Sequence, residues 1–453
     1  MKTKKYDVVI VGAGPGGAIA AKTLDNSGLS VCLIDAKPRE NIGEKVCGDA
    51  IEKEIFDFLH EKLNLDYPNK EVKNKVKGIK IFSPDKKTIF KIETKNKGYL
   101  LDRLKFGQHL LRQIKKATLM DNTLFVDFFD EGVVVERKIN NKTEIEKIKC
   151  KIVVDASGFN AIVRTKTADN IFFEKNIDKK DISMCYREIR EQDFEDQDYC
   201  HIYMTNEFSH GGYVWEFPEG KHLNVGLGVL YPSIPKMLYD KYLDFKGEEF
   251  KNSKIIKSGG GVVPTRRPID SLVAMHNKIG VMFVGDAACQ VNPIHGGGIA
   301  RAMRAGYLAG TAIKKIYKQN KNLSKISLTN LWEYNSKYMK NQGKNIAVLD
   351  LFRIFLQSLS DDQINFGMGI GLIKEKDLIN LSNTGEIKLN IVEKISRLAK
   401  GISDLNTTKK FIYTLEKIKK IKKLYEEYPN QEGFLDWKKS IEKIYIDLKK
   451  NML

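Results

Sequence analysis

The chain has 453 residues, with 76 Lys and Arg against 58 Asp and Glu, so its formal net charge is +18. This length predicts two or three domains able to enclose a large ligand, and the charge admits an anionic membrane, a nucleic acid or an acidic protein without choosing among them. Cys32, Cys47, Cys150, Cys185, Cys200 and Cys289 form no C-x-x-C pair, which argues against a zinc site and a secreted disulfide scaffold, and no apolar run approaches the length of a membrane span.

Met1-Lys2-Thr3-Lys4-Lys5 leads directly into an apolar run at residues 6–11, so no signal peptide and an intracellular setting are expected. The run enters Gly12-Ala13-Gly14-Pro15-Gly16-Gly17, followed by a small-residue helix ending at Ser27-Gly28 and a second strand, Val31-Cys32-Leu33-Ile34, which stops at Asp35. This order is that of a dinucleotide-binding βαβ unit. Gly12 permits the tight turn, Gly14 lets the backbone approach a pyrophosphate, Gly17 allows close packing of helix on strand, and Asp35 is placed for ribose hydroxyls. A G-x-G-x-x-G turn alone is weak, and an ordinary βαβ unit is the alternative; the flanking strands and helix favour the nucleotide.

Strand-like stretches follow at 76–93, then a helix at 104–116 opened by Arg103, so the first region is expected to carry a β insertion near 76–98. A strand pattern at 144–154 ends in Asp155-Ala156-Ser157-Gly158, and residues 183–265 read as mostly β. Ile279-Gly280-Val281-Met282-Phe283-Val284 is a buried-strand run with Gly285-Asp286 at its carboxyl end, where open α/β sheets gather ligands. After Gly296-Gly297-Gly298 the chain is helical from 299 to 317 and onward to its end. Within 408–425, Phe411, Ile412, Leu415, Ile418, Ile421 and Leu424 recur at helical spacing among lysines. Such a face either lies on an anionic membrane or packs on its own domain.

In the β region, alternation puts Tyr213, Trp215 and Phe217 on one strand face, while Gly226 and Gly228 share a face of the next run. Paired strands of this kind would set a wall of rings beside accessible backbone, suited to a flat or linear apolar ligand; an aromatic core strand is the plainer reading. Cys47, in a glycine-containing loop, is either a small buried hydrophobe or a site residue.

The glycine turn, Arg103 and Gly285-Asp286 with Pro293-Ile294-His295-Gly296-Gly297-Gly298 together resemble the FAD-binding domain of the flavoprotein monooxygenase and reductase superfamily. Alone, Asp286 would read as a helix N-cap and Arg103 as a surface ion pair. The resemblance implies that Asp286 binds the ribityl chain, that Gly297, Gly298 and Ile299 lie beside the isoalloxazine, and that Gly12, Gly14, Gly16, Gly17, Asp35, Cys47, Gly48 and Arg103 complete the FAD site. The segment from Asp155 to Arg164 looks like the superfamily's intermediate motif.

Lys45-Val46-Cys47-Gly48-Asp49 and Tyr213-Val214-Trp215-Glu216-Phe217-Pro218, followed by Gly226-Leu227-Gly228, resemble the geranylgeranyl reductase family, whose archaeal members saturate the isoprenoid chains of digeranylgeranylglycerophospholipids. That resemblance implies an α/β architecture like that of p-hydroxybenzoate hydroxylase. A discontinuous Rossmann-type FAD-binding domain is expected at 1–165 and 275–330, an antiparallel β-sheet substrate domain at 166–274 and a helical region at 331–453. It also implies Cys47, Tyr213 and Trp215 as catalytic residues, and Tyr213, Trp215, Phe217, Gly226 and Gly228 along the prenyl chain.

Reducing an isolated prenyl double bond requires a hydride, a proton and stabilisation of positive charge at the tertiary carbon. Aromatic faces can lower that cost by cation–π attraction, with Cys47 or an ordered water as proton source. No second complete nucleotide fingerprint is present, so an external donor, ferredoxin or a small reductant, is expected. The expected setting is cytoplasmic, peripheral to the inner face of the membrane, with a prenylated phospholipid as substrate and no metal or nucleic acid. The alternatives are a flavin-dependent aromatic monooxygenase, a reductase of another prenyl lipid such as a quinone tail, and a basic nucleic-acid-binding protein; dispersed lysines without a base-reading module disfavour the last.

Overall fold

The computed structural model describes residues 3–140, 142–168, 171–320, 322–323, 325–384 and 404–452. Its centre is a six-stranded sheet in the order Val273–His276, Ile279–Phe283, Ile152–Asp155, Val8–Val11, Val31–Ile34, Thr118–Met120. All neighbours run parallel except the first pair. The four inner strands are buried along their whole length, as expected of apolar runs covered on both faces. The helix Pro15–Leu24 follows the glycine turn and packs against the long helix Ile299–Asn320, which brings the turn at Gly12 and the segment after Gly298 together.

A second, eight-stranded sheet runs in the order Ile255–Pro264, Ile182–Glu191, His222–Leu230, Tyr213–Glu219, Tyr199–Tyr203, Val72–Phe82, Ile89–Leu101, Ala50–Glu52. The β segment expected as an insertion near 76–98 is therefore part of this sheet: Val72–Phe82 pairs parallel with Tyr199–Tyr203. The run at 144–154, read as one strand, is two. Lys142–Lys149 belongs to a separate four-stranded sheet with Thr3–Lys5, Gly132–Ile139 and Thr123–Phe129, and Ile152–Asp155 to the central one. The chain changes sheets where the half-buried alternation of the first gives way to the fully buried run of the second.

The C-terminal region is helical over Leu328–Tyr338, Lys344–Gln357, Asp361–Gly369, Glu375–Thr384, Leu405–Glu426 and Phe434–Met452; residues 385–403 lie outside the described residues. Phe411, Leu415, Ile418 and Ile421 are buried against Lys344–Gln357 and Phe434–Met452, and Ile412 and Leu424 are half-buried on the same core. Even Lys417 is buried, its ammonium 2.8 Å from Asp447. The apolar stripe thus serves its own domain, and only Lys409, Lys419, Lys420 and Lys423 of this helix's lysines stand fully in solvent. Among the described residues no helix is long and apolar enough to cross a membrane.

Candidate active site

One end of the candidate site, around the glycine turn, is built at the tips of the central strands. Gly12 has φ +101°, and a Cβ there would lie 2.3 Å from the Ala156 carbonyl oxygen, so only glycine closes the turn against the neighbouring strand. Asp35 is held by the Ala13 N–H at 2.8 Å and the Lys37 N–H at 2.9 Å, which fixes its carboxylate beside the turn. A Cβ on Gly14 would meet nothing within 4 Å, so space opens at the start of Pro15–Leu24, where helix N–H groups have no partner within the helix.

Two arginines are buried nearby, Arg103 on a helix that packs against Pro15–Leu24 and Arg164 with its amide on Asp155, next to the Ala156 that abuts Gly12. Arg103, at the start of the helix Arg103–Arg112, has a buried Nε without a partner, and Arg164 a buried Nε and Nη1 without one. Buried guanidinium nitrogens left unpaired are costly, so they fit a site whose polar ligand completes them. Arg103 is therefore no surface ion pair. Asp155 is fully buried and accepts hydrogen bonds from the Ser157 amide and hydroxyl and the Arg164 amide; burial pushes its pKa up.

The second end lies at the carboxyl tip of Ile279–Phe283. Asp286 sits in a short turn, Gly285–Ala288, and caps no helix with its side chain; its Oδ2 takes the Lys45 ammonium at 2.7 Å. Asp286 correspondingly raises the Lys45 pKa. Gly298 stands beside the same carboxylate, where a Cβ would lie 3.2 Å from Oδ1, and Ile299 opens the following helix. Tyr213 donates from its hydroxyl to the His295 carbonyl at 2.6 Å, tying the aromatic strand to this glycine loop. Burial pushes the Tyr213 phenol well above its usual range.

Lys45 belongs to the loop carrying Cys47, and the far side of that loop rests on the eight-stranded sheet. In register, Tyr213 faces Gly228, Trp215 faces Gly226 and Phe217 faces Asn224. Ring centroids are 6.0 Å apart for Tyr213 and Trp215, and 6.3 Å for Trp215 and Phe217. A Cβ on Gly48 would lie 2.8 Å from the Phe217 ring, and one on Gly226 only 2.4 Å from Trp215 Cζ2. The space beside Gly226 is thus filled by the indole, whereas Gly228 meets Cys185 Sγ at an ordinary 3.5 Å.

This modifies the expected open wall of rings. Trp215 and Phe217 are only 5% and 7% exposed, packed with Val76, Leu100 and Ile202, while Tyr213 and Cys47 are half-buried. Tyr213 offers the accessible ring, and the other two back it. The chain brings Cys47, Gly48, Trp215, Phe217 and Gly226 into one cluster, gathers Gly12, Gly14, Gly16, Gly17 and Asp35 into another, and joins the Cys47 loop to Asp286 through Lys45.

Sequence reasoning assigned no role to Lys45, Asp49 or Asn224. Asp49 is buried in a left-handed conformation with φ +65°, and burial pushes its pKa up to about 7. Asn224 is the sole uncharged amide within the buried run Leu223–Val229, a polar side chain among apolar neighbours that alone could have flagged it.

Two family models match the chain: geranylgeranyl reductase catalytic domain over residues 181–263, and pyridine nucleotide-disulphide oxidoreductase over residues 6–181. The chain is 36% identical to a digeranylgeranylglycerophospholipid reductase of Sulfolobus acidocaldarius, with 100% of both chains covered. It is 33% identical to one of Methanothrix thermoacetophila, covering 80% of this chain and 90% of that one. Among solved structures it is similar to a geranylgeranyl bacteriochlorophyll reductase-like protein of Thermoplasma acidophilum, with TM-score 0.72, 24% identity and coverage of 93% and 100%. A flavin-dependent brominase shares the fold at TM-score 0.62 and 18% identity, with coverage of 87% and 100%.

Proposed function

The chain belongs to the digeranylgeranylglycerophospholipid reductase family, and from that premise we infer that it reduces carbon–carbon double bonds of geranylgeranyl chains in archaeal ether phospholipids. The cofactor is a flavin, which when bound supplies the electron pair for the double bond. We read it as FAD, because the Gly12–Asp35 unit has the form that receives an adenosine diphosphate, with open space at Gly14 and a carboxylate fixed beside the turn, and because Arg103 and Arg164, outside that unit, keep buried nitrogens free for a polar ligand.

In this reading the amides of the Gly12-to-Gly17 turn hold the pyrophosphate and Asp35 the ribose. Asp286 takes the ribityl chain, exchanging or sharing its contact with Lys45, while Gly297, Gly298 and Ile299 border the ring. Cys47 and Tyr213 face the reacting double bond. Trp215 and Phe217 stand behind them and keep water away, and the ring of Tyr213 stabilises positive charge at the tertiary carbon. Cys47 Sγ delivers the proton to the less substituted carbon.

The observation that carries this reading is the Cys47 loop, which is tied to the Asp286 carboxylate through Lys45 and, through its Cys47 carbonyl, to Asn224 on the strand paired with the aromatic one, whose side chain in turn accepts the Trp215 indole N–H. A phospholipid substrate supports peripheral attachment at the inner membrane face, and the lack of a second nucleotide fingerprint supports an external electron donor, ferredoxin or a small reductant. The test is anaerobic incubation of the holoenzyme with digeranylgeranylglycerophospholipid and dithionite. Mass spectrometry is expected to show the gain of one dihydrogen per reduced double bond; a lipid of unchanged mass beside a reduced flavin contradicts the assignment.

A further inference from the structure

Asn224 is fully buried, yet its side chain reaches four partners. Its Oδ1 accepts the Trp215 indole N–H at 3.0 Å, and its Nδ2 lies 3.1 Å from the Cys47 carbonyl, 3.3 Å from Asp49 Oδ2 and 3.3 Å from Glu219 Oε1. An indole nitrogen can only donate, so the oxygen of the amide must face Trp215 and the nitrogen must face the loop. With two hydrogens on Nδ2, at most two of the three acceptors are served at once, and the Cys47 carbonyl is the nearest. An apolar residue would fill this strand position without the cost of burying an amide. What it would lose is the bridge: one side chain grips the aromatic strand with one atom and the Cys47 loop with the other.

We propose that Asn224 is a positioning residue that holds the Trp215 indole and the Cys47-Gly48-Asp49 loop in one register, so that the Cys47 thiol keeps a fixed place against the aromatic face. It touches neither lipid nor flavin and acts through these two neighbours. Gly48 completes the seat, since any Cβ there would strike the Phe217 ring and lift the loop away. The role in turnover rests on the reading of Cys47 and Trp215 as site residues, whereas the clamp itself can be read without turnover.

Two variants of the holoenzyme test it, Asn224→Leu, which removes both grips, and Trp215→Phe, which removes the indole N–H together with the ring beside Gly226 and leaves the grip on the loop. Iodoacetamide labelling resolved by peptide mass spectrometry is expected to show Cys47 in Asn224→Leu reacting about tenfold faster, with buried Cys32, Cys150 and Cys200 as unreactive as before. Trp215→Phe, which keeps the grip on the loop, should give a smaller increase. In lipid turnover, Asn224→Leu is expected to lower kcat about tenfold with KM nearly unchanged, and the double variant to lose less than the product of the two single losses. Unchanged Cys47 labelling, or all cysteines becoming reactive together, overturns the proposal; a wild-type protein inert toward the lipid with selective Cys47 labelling in the variant overturns the functional reading and leaves the clamp standing.

Discussion

At the scale of single residues, Asp49 and Gly226 give the sharpest tests. Asp49 binds its proton more tightly folded than unfolded, because burial raises its pKa to about 7 from an ordinary 3.8. Between those values the native state carries more protons than the unfolded one, so stability must fall as pH rises through this window and level off above it. Denaturant titrations from about pH 4 to 7 should show a downward slope approaching 1.4 kcal/mol per pH unit from this group, absent in Asp49→Asn. Equal slopes in the two proteins would contradict that. Gly226→Ala drives a methyl toward the Trp215 ring, and the melting midpoint should reflect a loss of about 1–3 kcal/mol. A variant as stable as the parent would show that the indole does not occupy that space. The alternation of Tyr213, Trp215 and Phe217 was readable from sequence, but which ring stays open was not. That depends on Gly226 admitting the indole, a neighbour across the ladder rather than along the chain.

Secondary-structure elements were legible where their pattern is local. The Gly12 turn, its flanking strands and Asp35 lie within one short stretch, and a strand, a turn and a helix each carry their own signal. The hairpin Val72–Phe82 and Ile89–Leu101 was not assigned to its sheet, because the pairing of Gly78–Phe82 with Tyr199–Tyr203 joins segments far apart in sequence, without a local signature. The helix Leu405–Glu426 shows the limit of amphipathic reading: its stripe is equally suited to lipid or to a neighbouring helix, and the fold chooses the neighbour. If the helix lay on an anionic bilayer, each lysine near the surface would add about 1 kcal/mol to binding. Changing Lys409, Lys419, Lys420 and Lys423 together to glutamine is instead expected to leave flotation with anionic vesicles nearly intact. Complete loss of flotation would return this helix to the membrane.

At the scale of the molecule, the fold draws three distant segments into one place: the turn at Gly12, the Asp286 and Gly298 segment, and the eight-stranded sheet with the Cys47 loop between them. What this arrangement is proposed to do is pass electrons from a flavin to an unconjugated double bond. The most direct measurement is a single turnover without oxygen: the holoenzyme is reduced, freed of excess reductant, and mixed with digeranylgeranylglycerophospholipid while its visible absorbance is followed. The oxidised-flavin band is expected to return in step with saturation of one double bond per flavin. A band that stays bleached with lipid and returns only on admitting air would contradict it.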